Sequence, residues 1–143
     1  MNVLLVEDSP GDIRLTLEAF RSQNPSVNVQ VARDGVEAMD ILRSGNTYPD
    51  LILLDLNMPR MDGRQVLAAI KEDENLKSIP TVILTTSDAE ADIVNSYLLQ
   101  ANSYLRKPVE LSAFEALVKS INDYWPTISI LSPAYGANTL TIA

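Results

Sequence analysis

The stretch Leu51-Ile52-Leu53-Leu54-Asp55-Leu56-Asn57-Met58-Pro59 constrains this chain more than any other. Its opening apolar run, preceded by Pro49-Asp50, predicts a short strand covered on both faces of a parallel sheet. A carboxylate stands where that strand should end, and Pro59 with Asp62-Gly63 stops regular structure just beyond it. In open α/β sheets, ligands and reactive groups gather outside the carboxyl ends of the strands. Asp55 is thereby put where a reactive group belongs, although an aspartate that merely starts a loop fits the same few residues.

The remaining chain repeats the pattern. Val3-Leu4-Leu5-Val6 is a second apolar run ending in acid, Glu7-Asp8, and Ser9-Pro10 then caps and opens a helix with Ile13, Leu17 and Phe20 as its buried stripe. Val27, Val29 and Val31 alternate as a strand, and Asp34-Gly35-Val36-Glu37 reads as a capping box before a helix that turns Met39 and Leu42 inward. After the Asp55 strand, a helix from about Gly63 to Asp73 buries Val66, Leu67 and Ile70. Thr81-Val82-Ile83-Leu84 is the next strand, ending in Thr85-Thr86-Ser87, and a second capping box, Ser87 to Glu90, starts a helix to about Gln100. A brief strand at Ser103-Tyr104-Leu105 closes in Arg106-Lys107-Pro108, and a last helix from about Glu110 to Trp125 carries Leu111, Phe114, Leu117, Val118, Ile121 and Trp125 on one side. Strands alternating with helices in this way predict a parallel sheet covered on both faces.

Three strand ends then converge: Glu7-Asp8, Asp55 and Thr85, with Lys107 just past a fourth. Composition narrows what they can do. The chain of 143 residues contains no histidine and no cysteine, which excludes a Ser-His-Asp triad, thiolate sites and histidine-ligated zinc. A net charge of −8 argues against a nucleic-acid partner. Hard-cation binding and carboxylate nucleophilicity are what remain for an acidic cluster, and oxygen ligands at this density imply Mg²⁺. A purely structural ion pair between Lys107 and the carboxylates is the competing reading. No signal peptide and no membrane-length apolar run is seen, so a cytoplasmic location is expected.

Val-Glu-Asp-Ser (6–9), Leu-Leu-Asp-Leu-Asn-Met-Pro (53–59), Asp-Gly (62–63), Leu-Thr-Thr (84–86) and Lys-Pro (107–108) together resemble the receiver domains of response regulators, over residues 2–125. The resemblance implies a flavodoxin-like (CheY-like) doubly wound sheet of five strands, order 2-1-3-4-5, with five helices. It also implies roles. Asp55 accepts phosphate from a histidine kinase or phosphotransfer protein. Glu7, Asp8, Asp55 and the backbone carbonyl of Asn57 hold Mg²⁺. Thr85 hydrogen-bonds the phosphoryl group, Lys107 pairs with it, and Tyr104 is an aromatic switch. Only one hydroxyl of Thr85-Thr86 can face the pocket, because strand side chains alternate, and the family spacing favours Thr85. Tyr104 also fits a plain strand aromatic. A finer likeness to cyanobacterial phytochrome response regulators lies in Leu-Thr-Thr-Ser (84–87), Ala-Asn-Ser-Tyr (101–104) and the closing Tyr124-Trp125. It implies a phytochrome-type sensor kinase as partner.

Other readings fit less well. A haloacid-dehalogenase-type phosphohydrolase also uses a strand-end Asp with Mg²⁺ but needs a second Asp two residues on, where this chain has Asn57. A flavodoxin needs a first loop that welcomes phosphate, and Glu7, Asp8 and Asp12 would repel it. A scaffold receiver that never takes phosphate has no reason to carry the full acidic, threonine and lysine set. Self-phosphorylation and self-dephosphorylation are the only catalysis expected. Residues 1–125 form the expected receiver, and 126–143 an uncharged apolar tail with no output domain. In that tail Ile128 and Ile130 alternate with Thr127 and Ser129, as in an extended segment seeking an edge or groove. Ile93, Val94, Tyr97, Leu98 and Leu99 give the helix after Ser87 a wide apolar stripe. A twofold homodimer through the 88–125 face and the tail is therefore expected.

Overall fold

Short apolar runs that cannot bury both faces alone are gathered by the fold into one parallel sheet with helices on each side. The computed structural model describes residues 1–44, 48–56, 58, 60–85, 103–106, 110–130 and 140–141, with the backbone alone at 85, 103–106, 124–130 and 140–141. The elements are β1 (Asn2–Val6), α1 (Pro10–Gln23), β2 (Asn28–Ala32), α2 (Gly35–Arg43), β3 (Leu51–Asp55), α3 (Gly63–Glu72), β4 (Thr81–Thr85), β5 (Ser103–Arg106), α4 (Leu111–Ile130) and β6 (Leu140–Thr141). Strand order is β2-β1-β3-β4-β5-β6, every pair parallel, so the expected 2-1-3-4-5 arrangement is found with one strand added at the β5 edge. The helix expected at 88–100, its capping box at Ser87 and its stripe from Ile93 to Leu99 lie outside the described residues.

β3 is the centre of the core. Leu51, Ile52, Leu53 and Leu54 are each 0% exposed, as a strand with neighbours on both edges and helices on both faces must be. The pleat sorts them. Ile52 and Leu54 meet Val6, Met39, Leu42, Val66, Leu67 and Ile70 under α2 and α3, while Leu51 and Leu53 meet Val3, Phe20, Phe114, Val118 and Ile121 under α1 and α4. Each such side chain contributes about 1.5–3 kcal/mol by leaving water.

Helix starts follow their caps. Ser9 Oγ accepts the Asp12 N–H at 3.3 Å, with Pro10 in the first turn. The stripe of α1 differs from expectation. Leu17 is only half-buried, and Thr16 and Ala19 lie inside with Ile13 and Phe20. Thr16 can be buried because its hydroxyl donates to the Asp12 carbonyl at 2.8 Å, and the short Ala19 sits among the α4 side chains of the core. At α2 the box is shifted: Asp34 Oδ1 accepts the Glu37 N–H at 2.9 Å, but the Glu37 carboxylate takes the N–H of Arg33, not that of Asp34. The complete reciprocal box is at α3, between Asp62 and Gln65.

The C-terminal helix runs on through Pro126 to Ile130, so residues 126–130 are helical and not extended. A five-residue run is too short for its periodicity to separate the two. The proline removes one N–H from the ladder, and the helix continues for about a turn beyond it. Among the described residues of the tail, Leu140–Thr141 reaches an edge, pairing with Ser103 and Tyr104 of β5. This last crossover has the opposite hand to those through α1, α2 and α3. The connections through α1, α2 and α3 share one hand, whereas β5–α4–β6 steps toward the β5 edge on the same face that β1–α1–β2 uses to step away from it. Parallel crossovers are right-handed in nearly all cases, so this one is left-handed. No described helix is long and apolar enough to cross a membrane.

Candidate functional site: an acidic pocket at the carboxyl edge of the sheet

The register of the sheet assembles the site. Val6 pairs with Leu54, which puts Glu7 level with Asp55 on the neighbouring strand. The Glu7 N–H donates to the Ala32 carbonyl at 2.9 Å, extending the β1–β2 ladder one residue past the strand end. Glu7 is 1% and Asp55 2% exposed, and Asp8, the next residue, lies half-exposed at the rim. Carboxylate oxygens of Glu7, Asp8 and Asp55 all lie within 4.8 Å of one another. Glu7 Oε1 also accepts the Ser9 N–H at 3.1 Å, so the residue that enters the pocket helps shape the turn into α1.

These distances fix the electrostatics. At an effective dielectric of about 20, two ionised carboxylates at that separation repel by about 3 kcal/mol, and the buried pair Glu7–Asp55 has little water to screen it. A hard divalent cation reverses the sign of the interaction. Two oxygens on opposite sides of Mg²⁺ stand about 4.2 Å apart, and the ion takes one or two carboxylates directly and keeps waters for the rest. The donor set is all oxygen, and separations of up to 4.8 Å are of the size of that span. The residues fit the ion.

Of the residues picked out in the sequence, the structure brings together Glu7, Asp8 and Asp55. Asp55 pairs with Leu84, so Thr85 is the next residue along β4, and Thr85 in turn pairs with Arg106 of β5. The chain then runs into Lys107. The side chains of Thr85 and Tyr104, and the whole of Asn57, Thr86 and Lys107, lie outside the described residues.

The loop from Leu56 to Asp62 has fixings that the sequence reading missed. The Gly63 N–H donates to the Leu56 carbonyl at 3.0 Å, and a Cβ on Gly63 would lie 2.3 Å from the Asp55 carbonyl oxygen. The Gly35 N–H donates to the Met61 carbonyl at 3.1 Å, and Arg60 Nε donates to Asp34 Oδ2 at 3.0 Å, with Nη2 on the same oxygen. Asp34 is held below the ordinary carboxyl pKa, by the Glu37 backbone N–H first and by Arg60 second. Asp-Gly pairs at 34–35 and 62–63 were the only trace of this in the sequence, read there as helix starts and breakers.

A buried strand-end carboxylate lies beside two further carboxylates on this sheet, and the chain matches the response regulator receiver domain at residues 3–120. The chain belongs to that family. Response regulator Rcp1 of Synechocystis sp. is 44% identical to this receiver over 128 residues, 86% of this chain and 87% of that one. Among solved structures, the phosphorylated cyanobacterial phytochrome response regulator RcpA is similar at 46% identity and a TM-score of 0.79, covering 88% of this chain and 94% of that one. The Mn²⁺-bound form of Rcp1 is similar at 43% identity and a TM-score of 0.76, covering 87% of this chain and 93% of that one. The expected family and its phytochrome-associated branch are thus what the receiver resembles most among these relatives.

Proposed function

We propose that this receiver accepts a phosphoryl group on Asp55, with Mg²⁺ in the acidic pocket, from a sensor histidine kinase of the phytochrome type, and signals through protein contact or by passing the phosphate on. The observation that carries this reading is the buried Asp55 at the end of the central strand, with oxygens of Glu7 and Asp8 within 4.8 Å. The phosphorylated and Mn²⁺-bound states named for RcpA and Rcp1 support it by likeness.

Chemically, a carboxylate oxygen of Asp55 attacks phosphorus in line with the leaving group. The new O–P bond forms as the bond to the donor breaks, and its electron pair leaves with the donor imidazole nitrogen or, for acetyl phosphate, the acetate oxygen. Bound Mg²⁺ neutralises the charge that gathers on the phosphoryl oxygens. Glu7 and Asp8 would hold that ion, together with the Asn57 backbone carbonyl. Rigid attachment of Asp55 to β3, packed on both faces, keeps the nucleophile aimed. Thr85 is assigned as hydrogen-bond donor to the phosphoryl group and Lys107 as its ion-pair partner, with Tyr104 reporting the change to the β5 edge. Asn57 stands where a phosphohydrolase of this geometry would carry its acid–base Asp, so the acyl phosphate persists as a signal.

The test is label transfer. Incubation with radiolabelled acetyl phosphate and Mg²⁺, and then with phytochrome-type and unrelated histidine kinases, should give an acid-labile adduct that Asp55→Asn abolishes. Undiminished labelling of that variant would sink the assignment, and equal transfer from all kinases would sink the phytochrome partner.

A further inference from the structure

Arg60 is the one non-glycine residue with positive φ, 63°, among the described residues. Side chains rarely tolerate that left-handed backbone, and glycine adopts it without strain. An arginine is nonetheless found there, and its guanidinium reaches across to the start of α2. Both Nε and Nη2 donate to Asp34 Oδ2, while the other carboxylate oxygen, Oδ1, caps α2 through the Glu37 N–H. Beside it the Gly35 N–H meets the Met61 carbonyl at 3.1 Å, an approach so close that a Cβ on Gly35 would fall 2.2 Å from that oxygen.

Stability does not account for the pair. The arginine side chain is 61% exposed against 12% for that of Asp34, so water screens the pair from the guanidinium side and its contribution to folding is small. Position accounts for it better. The loop it grips begins at Asp55, contains Asn57 and ends at Gly63, whose N–H closes back onto Leu56. Gly63 fixes the loop at its base, and Arg60 and Met61 fix its far side to α2. An Mg²⁺ site that draws one ligand from a backbone carbonyl in this loop depends on where the loop is held, as metal sites do on the groups behind their ligands.

We infer that Asp34 and Arg60 form a clamp that positions the loop after the phosphoacceptor, and so set the affinity of the acidic pocket for Mg²⁺. The inference rests on the functional reading above. Both are positioning residues, since neither belongs to the cluster of Glu7, Asp8 and Asp55.

Asp34→Asn keeps a good helix cap but removes the charge that holds Arg60. Arg60→Gly removes the guanidinium and relieves the backbone. Both are expected to weaken Mg²⁺ binding, measured by calorimetry on the full chain, by about tenfold, and to raise the Mg²⁺ needed for half-maximal labelling by the same factor at unchanged final extent. Arg60→Lys retains charge but not the two-point grip and should fall between. The double variant D34N/R60G should be no worse than either alone, because the two residues act as one unit. Tryptic cleavage after Arg60 should quicken in D34N, a readout that involves no metal. Unchanged Mg²⁺ affinity in both single variants overturns the clamp, and so does a double variant whose loss equals the product of the two. If D34N fails to fold, R60G alone decides. A wild-type chain that binds Mg²⁺ but takes no label overturns the phosphoryl-transfer reading and leaves the calorimetric comparison to judge the clamp. One that binds no Mg²⁺ overturns both.

Discussion

Gly63 stands against the backbone of Asp55: a Cβ there would lie 2.3 Å from the Asp55 carbonyl oxygen and 2.6 Å from the Leu56 Cα. Both neighbours are main-chain atoms and cannot swing aside as a side-chain tip would. Gly63→Ala must therefore push the start of α3 away from the end of β3. Overpacking of this kind costs about 1–3 kcal/mol, and the displaced atoms are those that hold Asp55, the proposed phosphoacceptor. The expected outcome is a thermal midpoint lowered by several degrees together with slowed labelling by acetyl phosphate. A variant with wild-type midpoint and wild-type labelling would show that the loop yields instead.

Glu7→Gln and Asp8→Asn separate metal binding from folding. Each removes a charge from the pocket, and glutamine preserves the acceptor that takes the Ser9 N–H at 3.1 Å. The Mg²⁺ concentration for half-maximal labelling should rise by at least about tenfold. Without metal, the midpoint should hold or increase, because crowded carboxylates repel. A clear fall with unchanged Mg²⁺ dependence would make the pair structural.

Lys71, in the last turn of α3, has its pKa lowered by burial from 10.5 to about 8. A folded-state pKa below the unfolded one means that the unfolded chain binds more protons between pH 8 and 10.5. This residue's contribution to stability therefore rises with pH across that window and is least favourable below it. Lys71→Met should stabilise the protein at pH 7 by roughly 1–2 kcal/mol, after allowance for the partial exposure of the amine. The advantage should shrink toward pH 10. Urea unfolding of both chains at several pH values reads this directly, and a constant difference would contradict it.

The β5–β6 pairing spans two residue pairs and closes a left-handed crossover, so it should be the weakest contact in the sheet. Ending the chain at Ile130 keeps the helix whole and should cost less than about 1 kcal/mol. Light scattering on both chains at micromolar concentration tests the twofold association expected from the apolar tail. A dimer lost on truncation assigns the contact to residues 131–143, whereas a monomer in both removes it.

Much of the site was legible because it lies at strand ends, and strand ends are marked by where an apolar run meets acid. Val3–Val6 followed by Glu7-Asp8, and Leu51–Leu54 followed by Asp55, needed only a parallel sheet to meet. The burial of β3 on both faces was equally plain, since a run with no polar alternation admits no wet side. Local periodicity failed where packing decides the angle of a helix. Leu17 and Thr16 differ by one position, and it took the packing of α1 to turn Thr16 inward and leave Leu17 half out. It failed again at Ile128 and Ile130, where five residues fit two periods.

The sequence by itself determined the strands β1 to β5, the helices α1 to α4, the carboxylates that meet at the strand ends and the family, because each is carried by residues close together in the chain. Only the tertiary structure decided how the loop after Asp55 is held. Gly35 and Met61, Asp34 and Arg60, and Gly63 and Asp55 are close in space through the sheet's register and the placement of α2 beside α3. No periodicity records a contact between residues 26 apart, and a glycine's need for room shows only when the atom that would strike its Cβ is in place.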